Sequence, residues 1–233
     1  MSAHTGIGIR MIDEVDQVHT ASAVLSDVWG GDRTGMPPNL LRALAHSGNY
    51  AAAVYDGDTM IGASVAFFAA PADRSMHSHI TGILAPYRGR GIGRMLKAHQ
   101  REWALARGVE HITWTFDPLV ARNAHMNLTV LGARAAEYLV DHYGPMDDGV
   151  NRGDETDRIL ADWDLTAPAT APVGEVVATV AVPEDVEALR HERPAEAARW
   201  RREVRDALLG HLAEGARIAG FDAARGGYLL VRD

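Results

Sequence analysis

No cysteine occurs in the 233 residues. That absence excludes disulfides, thiolate metal sites and any cysteine acyl-enzyme, and it suits a reducing compartment. Positive charge is short as well. The formal net charge is -8 at pH 7, which argues against a general nucleic-acid binder, because neutralising phosphates takes a basic face; a local basic patch is still allowed. Long apolar runs are missing: stretches such as MIGASVAFFAA at 60–70 reach about half of what spans a bilayer. The opening MSAHTGIGIR lacks the basic-then-apolar order of a secretory leader. Together these absences predict a soluble, cytoplasmic protein with no nucleic-acid or membrane partner.

What is present is an ordinary globular composition, 47% hydrophobic, with room for one large domain or one domain and an appendage. Residues 7–12 read as a strand, 13–30 as a helix with apolar residues near helical spacing and Gly30 as its stop, and 36–50 as a second helix with prolines at its start. Asp56-Gly57-Asp58 divides 50–70 into a hairpin. A strand at 76–84, a helix at about 92–107, a strand at 111–118, a helix at 121–132 and strands at 133–144 and 158–165 follow. TAPATAPVGE at 166–175 reads as a linker. Beyond it, 194–215 makes an amphipathic helix with a Trp200, Val204, Leu208, Leu212 stripe, and 217–231 a terminal hairpin. Two parts result, 1–165 and a 166–233 extension of strand, helix and hairpin that packs on the first part or completes it.

The chemistry starts at APYRGRGIGRMLK, 85–97, where glycines alternate between arginines ahead of a helix. Glycine is unfavourable in regular structure, so bare backbone is needed here. A P-loop would end in Gly-Lys-Ser/Thr, and Arg94 and Met95 stand there instead. A dinucleotide fingerprint needs Gly-x-Gly-x-x-Gly, and Gly89, Gly91 and Gly93 are spaced otherwise. An anion nest of successive amides at a helix N-terminus fits, with Arg88, Arg90 and Arg94 adding charge.

RGRGIG at 88–93 resembles the arginine/glutamine-x-x-glycine-x-glycine/alanine turn of the GNAT (GCN5-related N-acetyltransferase) superfamily, and RNAHMNLTVLGA at 122–133 resembles that family's cofactor-flanking helix and closing glycine. The element order over roughly 5–165 is also similar. WTFDPL (Trp114–Leu119), Arg122–Ala133 and Asp157–Arg158 further resemble a subgroup of large GNAT proteins, some linked with N-acyl-amino-acid metabolism and succinyl donors.

The resemblance implies an α/β (α+β) fold, a mixed central sheet flanked by helices. It implies acetyl-CoA, or succinyl-CoA, as co-substrate and no metal. Arg88, Gly89, Arg90, Gly91, Ile92, Gly93 and Arg94 would hold the pyrophosphate. Ile83 and Leu84, ending one of two splayed strands (76–84 and 111–117), would hold the pantetheine arm and polarise the thioester through their backbone. Asn123 would touch the cofactor or cap the core. The family's thiolate-protonating tyrosine falls at Leu128, so Asn127 remains as a hydrogen-bond donor, and Tyr138 or Tyr143 as substitutes in space.

An attacking amine also needs a base. His77, His79 and Thr81 alternate along one strand and so share a face. His79, nearer the carbonyl, is the first choice, with His77 beside the substrate; as a metal pair the two lack an evident third ligand. Asp117 would bind an ammonium group or cap the next turn. Arg158 would receive a carboxylate or pair with Asp157, the acidic loop 147–157 would line the acceptor site or stay solvated, and RWRREVR at 199–205 reads as a wet helix face. The expected function is direct acyl transfer to a small amine, an amino acid or related metabolite, in a ternary complex, by a monomer or homodimer. A non-catalytic acyl-CoA-binding regulator is the rival. A serine hydrolase is weaker still, because GASVA (62–66) has Ala66 where the nucleophile elbow needs glycine.

Overall fold

The structure, a computed structural model, describes residues 6–30, 35–146, 153–167 and 174–232. The chain has a mixed α/β architecture, a mostly antiparallel sheet flanked by helices, and divides into two compact units, Met1–Ile112 and Thr113–Asp233. The division read from sequence near 165 falls inside the second unit.

In the first unit, β1 (Ile7–Met11), β2 (Tyr50–Asp56), β3 (Thr59–Phe68) and β4 (Ser75–Ile83) pair antiparallel in that order. Gly57, at φ +60°, makes the β2–β3 turn. Alternation along the strands feeds two cores. Ala51, Ala53, Tyr55, Ala63 and Val65 meet α1 (Val15–Trp29) and α2 (Pro38–His46) through Val18, Leu25 and Leu41. Val54 and Ile61 meet α3 (Ile92–Leu105) through Ile92 and Leu96. Full burial of each valine, leucine or isoleucine among them contributes roughly 1.5–3 kcal/mol. A Glu14–Gln17 capping box starts α1 and left-handed Gly30 ends it, as the sequence pattern predicts.

One local irregularity positions the site. Ala66 pairs with Ser78 and Val65 with Ile80, which leaves His79 as the extra residue of a β-bulge.

β5 (His111–Phe116) carries the chain from the first unit into the second. A single α-turn, α4 (Ala121–Ala124), then continues as a π-turn over His125–Val130. β6 (Arg134–Leu139) and β7 (Arg158–Asp164) pair antiparallel. β8 (Glu175–Ala181), β9 (Arg217–Asp222) and β10 (Gly227–Arg232) form a sheet ordered β8-β10-β9. A strand is expected in the 166–233 extension and β8 stands there, whereas α5 (Val186–Glu192) is not foreseen, and most of the expected linker, 168–173, lies outside the described residues. α6 (Pro194–Ala213) buries Ala197, Arg201, Val204 and Leu208, so an arginine takes the place in the stripe expected of Trp200.

Candidate active site

The arginine-glycine turn closes β4 and opens α3. Gly89 and Gly91 have φ of +75° and +77°, a left-handed backbone that L side chains rarely adopt. Gly91 is the N-cap of α3, and no side chain caps the first-turn amides. A Cβ added at Gly89, Gly91 or Gly93 would meet no protein atom within 4 Å. Gly93 also lacks a positive φ, so neither packing nor backbone conformation demands glycine there. The space beside these helix-terminal amides is open. The Ile92 side chain is buried against Leu96 and Val54, anchoring the turn from below. Arg90 lies over the Tyr87 ring, 5.2 Å from its centroid. Arg94 is exposed, and Arg88 donates from Nε to the Ile83 carbonyl at 3.0 Å.

Leu84 is a correction. Its amide donates to the Ile61 carbonyl and its carbonyl accepts from the Tyr87 amide, both at 2.9 Å. Its backbone therefore has no N–H to spend on a thioester. Of the two residues expected to grip the pantetheine arm, Ile83 alone is left.

The bulge overturns the shared face of His77, His79 and Thr81. His77 and His79 both approach Phe67, with ring centroids 5.4 and 5.9 Å away. Thr81 points to the other side, where its hydroxyl pairs with that of Ser64 at 2.8 Å. His79 is exposed at the bulge, and partial desolvation moves its pKa below the ordinary histidine value, so the ring is neutral and able to accept a proton near neutral pH.

On the α3 side of β4 stands a group that the sequence reading missed. Lys97 is the only lysine in the chain. Lys97 is half-buried, with Nζ 3.0 Å from Ser78 Oγ and 3.1 Å from Gln100 Oε1. Burial lowers its pKa to about 7. The available signal was compositional: one lysine among 23 basic residues, next to the apolar stripe of α3.

The other expected site residues stand in the second unit, and the structure corrects several of them. Asp117 is occupied on both oxygens. Oδ1 accepts from Arg201 Nη1 at 2.7 Å and from the Leu119 amide at 2.9 Å, and Oδ2 from Arg201 Nη2 at 3.0 Å and from Arg190. It caps the turn, as one of its two expected roles had it, and has no oxygen left for a substrate ammonium. Burial alone would raise its pKa, but the Arg201 and Arg190 guanidinium groups override that and hold the carboxyl well below the usual range. Asp154 joins the same pair, accepting from Arg190 Nε at 3.0 Å and Arg201 Nη2 at 2.8 Å.

Asp157 pairs not with Arg158 but with Arg205, at 2.7 Å from both Nε and Nη2. Arg158 donates instead to the Asp157 backbone carbonyl at 2.8 Å and lies over the Tyr143 ring. Arg201, expected on a wet face, is 1% exposed. Of the acidic loop, 147–152 lie outside the described residues, and Asp154 and Asp157 are inside this ion cluster.

Tyr138 donates its hydroxyl to Asp157 at 2.6 Å, and burial together with that carboxylate pushes its pKa up, which makes it a poor proton donor. Tyr143 is half exposed, with its hydroxyl 2.7 Å from Thr115 Oγ1 on β5. Asn123 is exposed on α4, while Asn127 is buried in the π-turn with its carbonyl accepting from the Ala133 amide at 3.0 Å. Leu128 is buried.

No curated protein sequence matches this chain significantly. Residues 20–126 match the family model described as Acetyltransferase (GNAT) family. Solved structures with the same fold include the ribosomal-protein-S18-alanine N-acetyltransferase from Escherichia coli, with 13% identity, TM-score 0.56, and 70% of this chain and 96% of that one covered. The spermidine/spermine N-acetyltransferase from Vibrio cholerae is similar at 12% identity, TM-score 0.55, with 71% and 96% covered. The NatC complex bound to Gag peptide and CoA matches at 17% identity, TM-score 0.54, with 69% and 99% covered. The arginine-glycine turn at 88–93 lies within the matched segment, and residues 20–126 are thus similar to a GNAT acetyltransferase domain.

Proposed function

We propose that this protein is an acyl-CoA-dependent N-acyltransferase, with acetyl-CoA as donor and a small amine, such as an amino acid, as acceptor. The observation that carries the reading is the cradle at 88–93: uncapped helix-terminal amides, two left-handed glycines, and open space where three side chains would otherwise stand. The amides of Ile92, Gly93 and Arg94 receive the pyrophosphate, with Arg90 and Arg94 adding charge-assisted contacts. The Ile83 backbone guides the pantetheine arm. His79 takes the proton from the amine, directly or through water.

Gly93→Ala tests the cradle without disturbing the fold. Alanine meets no protein atom there and favours the helix, so the melting temperature holds or rises. The Kd for acetyl-CoA rises by about tenfold or more, the equivalent of roughly 1.4 kcal/mol. An unchanged Kd would show that the space beside Gly93 is not the pyrophosphate site. Incubation with labelled acetyl- or succinyl-CoA and pooled amines then names the donor and acceptor. Binding without transfer to any amine would support the regulator reading, which the buried Leu128 at the usual tyrosine position favours.

A further inference from the structure

A cavity of about 410 Å³ lies between the N-terminal turns of α1 and α2, lined by Val15, Val18, His19, Pro38, Asn39 and Arg42. That volume is in the range of sites for small molecules. Helical spacing explains the lining. Val15, Val18 and His19 stand at i, i+3 and i+4 on one face of α1, and Pro38 and Arg42, four apart, share a face of α2. The two helices are tied together. Ser22 on α1 donates to the Met36 carbonyl ahead of α2 at 2.8 Å, and Val18 and Leu41 sit in one core cluster. The cavity is thus preformed. Neither the cradle nor His79 uses any of its residues, and the length of α1 separates the two places. Near its far end α1 meets the end of β4, where a Cβ on Gly82 would lie 2.9 Å from Val28. Val15 stands thirteen residues earlier, about 20 Å along the helix axis.

The lining is of two kinds. Val15 is 54% exposed at the first position of α1, and Val18 is 2% exposed one turn on, so the cavity joins an uncovered apolar side chain to the edge of the core. Pro38 continues that apolar surface. Arg42 supplies charge: its Nη1 donates to the Asp13 carbonyl at 2.6 Å, which holds the guanidinium at the start of α1 while spending one of its five N–H donors. Among the described residues no carboxylate pairs with Arg42, and none lines the cavity. We propose that this cavity binds a small aliphatic carboxylate, with Arg42 on its carboxylate and Val15, Val18 and Pro38 against its hydrocarbon part. A guanidinium offers a carboxylate paired N–H donors, and covering the valines adds about 25 cal/mol for each Å² of apolar surface removed from water. A ligand carrying only an amine would find no carboxylate to answer it, and a wholly polar anion would leave Val15 uncovered. The inference stands apart from the acyl-CoA reading.

Isocaproate is the probe, because it has a carboxylate and a branched chain but no amine to be acylated. It is titrated into the full-length protein, followed by ligand-observed NMR, with and without saturating coenzyme A. The expected result is binding at one site with a Kd that coenzyme A leaves unchanged. Isocaproamide, with the same shape and no charge, and acetate, with the charge and no chain, each bind about tenfold or more weakly. Arg42→Gln and Val15→Asp, both at exposed positions, weaken isocaproate by a similar factor while the melting temperature and the Kd for coenzyme A hold. Equal affinity for isocaproamide would overturn the proposal, since Arg42 would then not be reading a carboxylate. Displacement by coenzyme A would also overturn it, by placing the anion in the cradle. So would binding that is unchanged in both variants, or absent at about 10 mM probe. Binding of isocaproate by a chain that fails to bind coenzyme A would support this site and remove the transferase reading alone.

Discussion

At the scale of single residues, Lys97 ties stability to pH in the same direction as the ion-paired carboxylates but in a window several units higher. Unfolded, it holds its proton up to about 10.5; folded, it releases it near 7. Between those values the unfolded chain binds more protons, so stability rises with pH across that window, and below it the full burial penalty is present. Lys97→Met should therefore raise stability at pH 7 by a few kcal/mol, and denaturant titrations from pH 7 to 10 should show the wild-type slope flattened. A variant that is less stable at pH 7 would mean that the hydrogen bonds to Ser78 and Gln100 outweigh the desolvation. His79 behaves differently because its role is proposed for catalysis. With its pKa below the ordinary histidine value, the acid limb of kcat/KM should lie below pH 6.5 and should vanish in His79→Gln, with turnover lower by about 10²–10⁴-fold. The cradle was legible in the sequence because a left-handed backbone leaves a local mark, glycine. Lys97 was not, because no local rule says which way one lysine on a helix points.

At the scale of elements, periodicity located most of the helices and strands, and failed where long-range pairing decided the outcome. The His77, His79, Thr81 alternation assumed an unbroken strand, but the bulge opposite Val65 and Ala66 is set by the pairing of β3 with β4. The same pair of strands fixes Gly62. A Cβ there would sit 2.7 Å from the Gly82 carbonyl oxygen, a backbone atom that cannot step aside. Gly62→Ala should thus cost about 1–3 kcal/mol by chemical denaturation. In α6, an expected solvent face became a buried one because the carboxylate facing Arg201 is 84 residues away in sequence. Arg201→Met should cost about 3–5 kcal/mol, since it leaves Asp117 and Asp154 short of a partner. Combining it with Asp117→Asn should cost less than the two single losses added together. Additive losses would show that the cluster is not coupled.

At the scale of the whole molecule, the cluster decides where the chain can be cut. Asp117, Asp154 and Asp157 lie before residue 165, and their partners Arg190, Arg201 and Arg205 lie after it. A fragment ending at 165 would keep three buried carboxylates and lose the three arginines that pair with them. It should fail to give a cooperative thermal transition by circular dichroism, whereas the full chain should lose stability in acid as the pH drops below about 4, where the unfolded chain takes up protons that the depressed carboxylates of the folded chain do not. Fold class was legible at this scale because the element order and the glycine turn are both local in sequence. The dependence of residues 113–165 on the C-terminal third was not, because it is written in charge pairs rather than in periodicity.

The seclusion of the single lysine also bears on the rest of the surface. A guanidinium keeps its proton throughout the physiological range and does not attack a thioester, whereas a surface ammonium loses its proton often enough to react slowly with one. With 22 arginines and no described lysine on its exterior, this chain supports its basic contacts without offering side-chain amines to an activated acyl donor. A protein working beside such a donor is thereby spared gradual chemical marking of its own exterior.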